Sequence, residues 1–138
     1  MSPTFLIQVF SSFFMTGLIW LVQLVHYPSF RFVDRESFTA FHQLHSNRIT
    51  WIVAPMMAAE LGSALLLLST GQEWTMVNVV SVGALWLITG LVSVPLHNRL
   101  AQGYDGTTAK RLTDTNWLRT ILWSARSFGL LYYLFKST

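Results

Sequence analysis

Glu60 and Arg126 each stand inside a long run of apolar residues, and the chain's 4 histidines, His26, His42, His45 and His97, fall where such runs end or meet. A charge at the centre of a bilayer costs at least ~2.5–3.5 kcal/mol on insertion scales, so such residues face a bundle interior, pair and mark sites. Imidazole is the commonest side-chain metal ligand and carries protons near neutral pH. His42 and His45, at i and i+3, share a helix face, and His26 and His97 close neighbouring apolar runs. Such a set can hold a metal such as iron, zinc or copper, hold haem, or do acid–base and hydrogen-bonding work. His42, His45 and Glu60 are the candidate cofactor-binding residues, the cofactor itself is unknown, and no metal ligand set is assigned. Glu60 lies ~15 Å deeper than the histidines at the helical rise per residue, and the Glu-x-x-His di-iron pattern is absent.

Polar residues recur at helical spacing along each run. Asn116, Arg119, Trp123 and Arg126 follow a 3-4-3 pattern; Thr89, Ser93 and His97 fall at i, i+4 and i+8. Thr16, Gln23 and His26 form a third row, Glu60 and Ser63 a fourth. Turning all four rows inward is the economical arrangement. Glu60 and Arg126 both come out ~14–17 Å from the same end of their runs, so they are expected to pair or share a network. The candidate catalytic residues are His26 and His97 as acid–base groups, Arg119 and Arg126 as stabilisers of a developing anion, and Asn116 beside them.

These residues need a scaffold, and composition names its solvent. The chain has 138 residues, 52% hydrophobic and only 11% charged, against roughly 25% charged in ordinary soluble domains. With a mean hydropathy of +0.45, the fold class expected is an all-α, integral membrane four-helix bundle in a single domain. About 20 apolar helical residues cross a membrane, and four windows qualify: 5–27, 49–70, 75–97 and 117–135. Pro28, Gly71, Gly103 and Gly106 punctuate the breaks. Val33–Ser46 reads as a short amphipathic helix in a long first loop, with Asp34 as its N-cap. The third loop turns at Gly103–Gly106 and feeds a helix continuous with the last span.

Arg31, Arg35, Arg48, Arg99, Lys110, Arg111 and Arg119 belong to the side of the first and third loops, and Lys136 alone flanks the other. By the positive-inside rule those loops are cytoplasmic, both termini are extracytoplasmic, and the location is a cell inner membrane. The histidines then gather at the cytoplasmic end. Membrane lipids are the expected partners, together with an apolar small-molecule substrate. The pI near 9.7 reflects headgroup-flanking basic residues, and no nucleic-acid-binding motif accompanies it. Absence of cysteine excludes disulfides, thiolate metal sites and iron–sulfur clusters. No Gly-x-Ser-x-Gly elbow, His-Glu-x-x-His zinc site or dinucleotide fingerprint is present. Pro55 and Pro95 sit inside spans, where they kink helices or widen a cytoplasmic cavity. His26 to Arg48 and His97 to Arg119 both span 22 positions, and at the same offset Asp34 overlays Asp105. That weak repeat suggests two related helical hairpins.

The segments Val94-Pro-Leu-His-Asn-Arg-Leu100 and Asn116-Trp-Leu-Arg-Thr-Ile-Leu-Trp123 resemble the anthrone-oxygenase-like family of small four-helix membrane proteins. The resemblance falls on Pro95, His97, Leu100, Asn116 and Arg119, with His97 standing where the family carries asparagine. It implies a four-helix membrane fold and, from the characterised fungal members, cofactor-independent oxygenation of polycyclic phenols. Three classes of function stay open: a membrane oxidoreductase or oxygenase, a binding or transport protein that would need to form a homo-oligomer, and an accessory subunit whose polar seam only welds the bundle.

Overall fold

The computed structural model describes residues 2–136, and they form four long helices with no strand. Helix α1 covers Pro3–Phe32, α2 Arg35–Leu68, α3 Glu73–Leu100 and α4 Gly106–Lys136. Consecutive helices pack against each other and α4 closes back on α1, giving an up-down-up-down bundle. By length and composition α1, α2 and α3 are long and apolar enough to cross a membrane.

Helix ends follow local chemistry. Ser2 caps α1 by accepting from the Phe5 N–H at 3.2 Å, with Pro3 in the first turn. Gly71 takes φ +68 in the α2–α3 turn, a conformation that side chains other than glycine's resist. Asp105 accepts from the Thr108 N–H at 2.8 Å and from the Thr108 hydroxyl. Those bonds start α4 and hold the exposed Asp105 carboxyl below the usual carboxylate range. Asp34 does occupy the N-cap position of α2, but its side chain makes no capping bond. Asp34 and Asp105, overlaid by the weak repeat, thus stand immediately before α2 and α4 respectively.

One expectation needs correction. Val33–Ser46 is not a separate amphipathic helix in a long loop: α2 runs unbroken for 34 residues, about 50 Å. The connection is reduced to Val33–Asp34, where the backbone turns extended. Nothing between His45 and Ile49 breaks a helix. Phe38 and His42, almost fully buried, hold the extension against Phe30 of α1 and Tyr104 of the third loop. Arg35 lies 3.6 Å over the Tyr104 ring and ties the two loops together. Similarly, Pro28 does not end the first helix, which continues to Phe32.

Prolines act by a different local device. A π-helical stretch, Val22–His26, precedes Pro28, and another, Thr89–Ser93, precedes Pro95. In each the last five-residue bond is donated by the residue just before the proline: Tyr27 to the Val22 carbonyl, Val94 to the Thr89 carbonyl. The widened turn accommodates a residue that has no N–H to give.

The interior is layered. Phe5, Leu67 and Leu130 pack beside Trp74 and Tyr133 at the end near the termini. Next come polar layers: Ser63 donates to Gln8 at 2.8 Å, and Ser127 lies within hydrogen-bond distance of both Ser12 and Thr16. Arg126 and Glu60 do pair, Nη1 to Oε1 at 2.7 Å, with both side chains at least 96% enclosed. Trp123 Nε1 donates to the same carboxylate at 3.0 Å, and Arg126 Nη2 donates to Asn78 Oδ1 at 3.1 Å. Within 5–27, 49–70, 75–97 and 117–135 the charged side chains are Glu60, Arg119 and Arg126, and all three are buried. The exposed face of α4 from Trp117 to Phe135 is Trp117, Leu118, Ile121, Ala125, Phe128, Gly129, Tyr132 and Phe135. Its charges point inward.

Removing one member of a buried pair strands the other, at about 3–5 kcal/mol. Glu60→Gln and Arg126→Gln should each lower the detergent melting temperature by several degrees. The double variant should lose clearly less than the sum; strictly additive losses would contradict the pairing.

Candidate functional site

Two helical turns from the Glu60–Arg126 pair, toward the first and third loops, the other buried arginine meets different company. Arg119 is 6% exposed, donates to Ser93 Oγ at 2.9 Å, and has its guanidinium 5.3 Å from the Trp123 ring centre. It also faces the Tyr27 hydroxyl. Among the described residues the salt bridges are Arg126–Glu60 and the exposed Lys110–Asp114, so no carboxylate answers Arg119. Its Nε–H has no partner.

Beside Arg119 a chain of hydrogen bonds starts at Tyr27 and leads to the histidines. Tyr27 Oη lies 2.9 Å from His97 Nε2, and His97 Nδ1 lies 3.0 Å from His42 Nε2. Because a guanidinium can only donate, its approach leaves the Tyr27 proton free to go to His97 Nε2. His97 then carries its proton on Nδ1 and donates to His42. The row is polarised away from the arginine and ends at His42 Nδ1, which is buried without a partner. His26 stacks on His45 with ring centres 4.0 Å apart, and His45 lies 5.9 Å from His97. All four histidines therefore do converge, from α1, α2 and α3. Among the described residues, however, no group of three or more His, Cys, Asp or Glu side chains is disposed to hold a metal ion.

Tyr27, His45, Ser93, His97 and Arg119 border a cavity of about 310 Å³ whose remaining walls are mainly apolar, including Met15, Ile19, Val53, Met57 and Trp86. That volume suits a small apolar molecule. Gly90 also borders it, and a Cβ there would meet nothing within 4 Å. Thr89 and Ser93 belong to the π turn before Pro95, and Tyr27 closes the one before Pro28. Both prolines thus contribute to the site through the turn they widen, a placement common for π turns.

Of the five residues expected from sequence to be catalytic, His97 and Arg119 border this cavity. Asn116 stands behind it, donating through Nδ2 to Gln23 Oε1 at 2.9 Å, and Gln23 in turn donates to the Thr113 carbonyl at 3.1 Å. His26 packs on His45 and does not line the cavity. Arg126 belongs to the deeper layer with Glu60, about 10 Å along α4 from Arg119, so it is not part of the same constellation. Of the cofactor candidates, His45 borders the cavity, His42 ends the hydrogen-bonded row and Glu60 is committed to Arg126. Arg119, counted among the basic residues of the loop side, is interior; Arg31, Arg35, Arg48, Arg99, Lys110 and Arg111 are exposed there. Sequence reasoning missed Tyr27, which has no charge or motif of its own. Its signal was its place between His26 and Pro28.

Comparison with protein-family models, with curated proteins and with solved structures gives no match.

A buried cation without full partners costs at least roughly 1–3 kcal/mol. Arg119→Met is therefore expected to leave the melting temperature unchanged or raise it by a few degrees, opposite in sign to Arg126→Gln. A loss as large as that of Arg126→Gln would mean that Arg119 is structural.

Proposed function

We propose that this chain is a four-span membrane protein that binds an apolar molecule with a weakly acidic hydroxyl, a phenol being the simplest, and removes its proton. The observation that carries this reading is Arg119: a buried cation with no carboxylate, beside an apolar cavity, at the head of the Tyr27–His97–His42 row. A site that keeps an uncompensated positive charge is stabilised by an anion formed inside it. The ligand hydroxyl would replace the missing partner of Arg119. Its proton passes to Tyr27 as the Tyr27 proton moves to His97 Nε2 and the His97 Nδ1 proton moves to His42 Nε2. What remains is an oxyanion against Arg119 and an imidazolium at His42, two residues' reach away.

Membrane insertion of all four helices is supported by the inside-out distribution of charge, with Glu60, Arg119 and Arg126 enclosed and apolar side chains outside. The exposed basic residues around the first and third loops favour a cytoplasmic location for the relay and extracytoplasmic termini, in a cell inner membrane. An electron-rich phenolate is also what reaction with dioxygen requires, so the resemblance to anthrone-oxygenase-like proteins extends the reading to a cofactor-independent oxygenase of fused-ring phenols. The Glu60–Arg126 layer, whose charges already balance, takes no part in this proton transfer.

The test uses purified protein in detergent with 2-naphthol, whose neutral and ionised forms absorb differently. Bound naphthol at pH 7.5 is expected to show the naphtholate band. Arg119→Gln should abolish that band, and Gly90→Phe should weaken binding at least tenfold by filling the cavity. Naphthol bound only in its neutral form, or binding indifferent to Gly90→Phe, would overturn the reading. Oxygen uptake dependent on phenol and lost in Arg119→Gln would add the oxygenase step.

A further inference from the structure

A second cavity opens between α3 and α4 in the half of the bundle nearer the termini, with a volume of about 960 Å³. Its walls include Trp74, Val77, Leu122 and Gly129, and it is bordered by Asn78 and Arg126 of the charged layer. Both polar residues are more than nine-tenths buried, at 6% and 7% exposed. Their hydrogen bonds are incomplete in a specific way. Arg126 gives Nη1–H to Glu60 and Nη2–H to Asn78 Oδ1, which fixes the orientation of the Asn78 amide because an arginine cannot accept. What is left over is Asn78 Nδ2 and Arg126 Nε, both donors without an acceptor. Among the described residues, no buried side-chain acceptor at this layer is left wanting a donor.

Charge here is already closed. Glu60 neutralises Arg126, and the rim carries one exposed acidic residue, Glu73, and one exposed basic residue, Lys136. The unmet demand is therefore for an oxygen acceptor that brings no charge and no proton. Apolar walls require the rest of the molecule to be apolar. We propose that the α3–α4 groove binds a neutral, apolar molecule through a carbonyl oxygen seated at Asn78 and Arg126, as a quinone or an ester lipid would offer. This site is independent of the phenol-binding cavity: the two share no lining residue, and it calls for a neutral acceptor where Arg119 calls for an anion.

Quenching of tryptophan fluorescence by a decyl-substituted benzoquinone, titrated into the detergent-purified protein, tests the assignment, since Trp74 lines the groove. Saturable quenching is expected. Gly129 borders the groove on the exposed face of α4 and a Cβ there meets nothing within 4 Å, so Gly129→Phe is expected to narrow the groove without a clash at Cβ. Gly129→Phe and Asn78→Leu should each weaken the quinone at least tenfold, while Gly90→Phe leaves it unchanged. Competition by dioctanoylglycerol would identify an ester lipid as the occupant, and its failure a quinone. Quinone binding unaffected by Gly129→Phe, or decanoate anion bound more tightly than either neutral probe, would overturn the proposal. Should Asn78→Leu fail to fold, Gly129→Phe alone decides it. Naphthol bound only in its neutral form by the unaltered protein, with quinone binding intact, would sink the phenol reading and leave this one standing.

Discussion

A protein whose exterior is apolar must satisfy its polar groups against one another, and this bundle is organised by that requirement. The three charged side chains of the apolar band are enclosed, and each sits in a layer with hydroxyls or amides from neighbouring helices. Layers of Ser12, Thr16 and Ser127, of Gln8 and Ser63, and of Gln23, Asn116 and Thr120 cross-link helices at successive heights. For helices placed in lipid, where no hydrophobic drive acts between them, such bonds and close packing would fix the register.

The two interior arginines of α4 divide labour by their partners. Arg126 is matched by Glu60, and Trp123 and Asn78 complete the shell around that pair. Arg119 is matched by hydroxyls and an aromatic face only. The desolvation cost is therefore offset in one layer and left open in the next. Under the proposed function a ligand anion would offset that open cost from the adjoining cavity, beside the hydrogen-bonded row of Tyr27, His97 and His42.

Helix irregularity supplies the positioning. Without the π turns before Pro28 and Pro95, straight helices would need an N–H that proline lacks. The turns resolve this and present Tyr27 on one wall and Thr89 and Ser93 on the facing one. The extension of α2 past the apolar band has a related consequence. It brings His42 and His45 over the ends of α1 and α3, where a flexible loop would have left them unplaced.

Sequence alone determined much of this. Helical content, the four long helices, three of them apolar enough to cross a membrane, the inward direction of the polar rows and the Glu60–Arg126 pair follow from 3.6-residue periodicity and from the cost of charge in an apolar medium. Both are local or one-dimensional properties. Only the tertiary structure decided that α2 is continuous through Ser46, because the burial of Phe38 and His42 against other helices stabilises the extension. It alone gave Tyr27 its place beside Arg119 and left Arg119 without a counter-ion. Those facts depend on rotation and register between helices, which spacing within one helix does not encode.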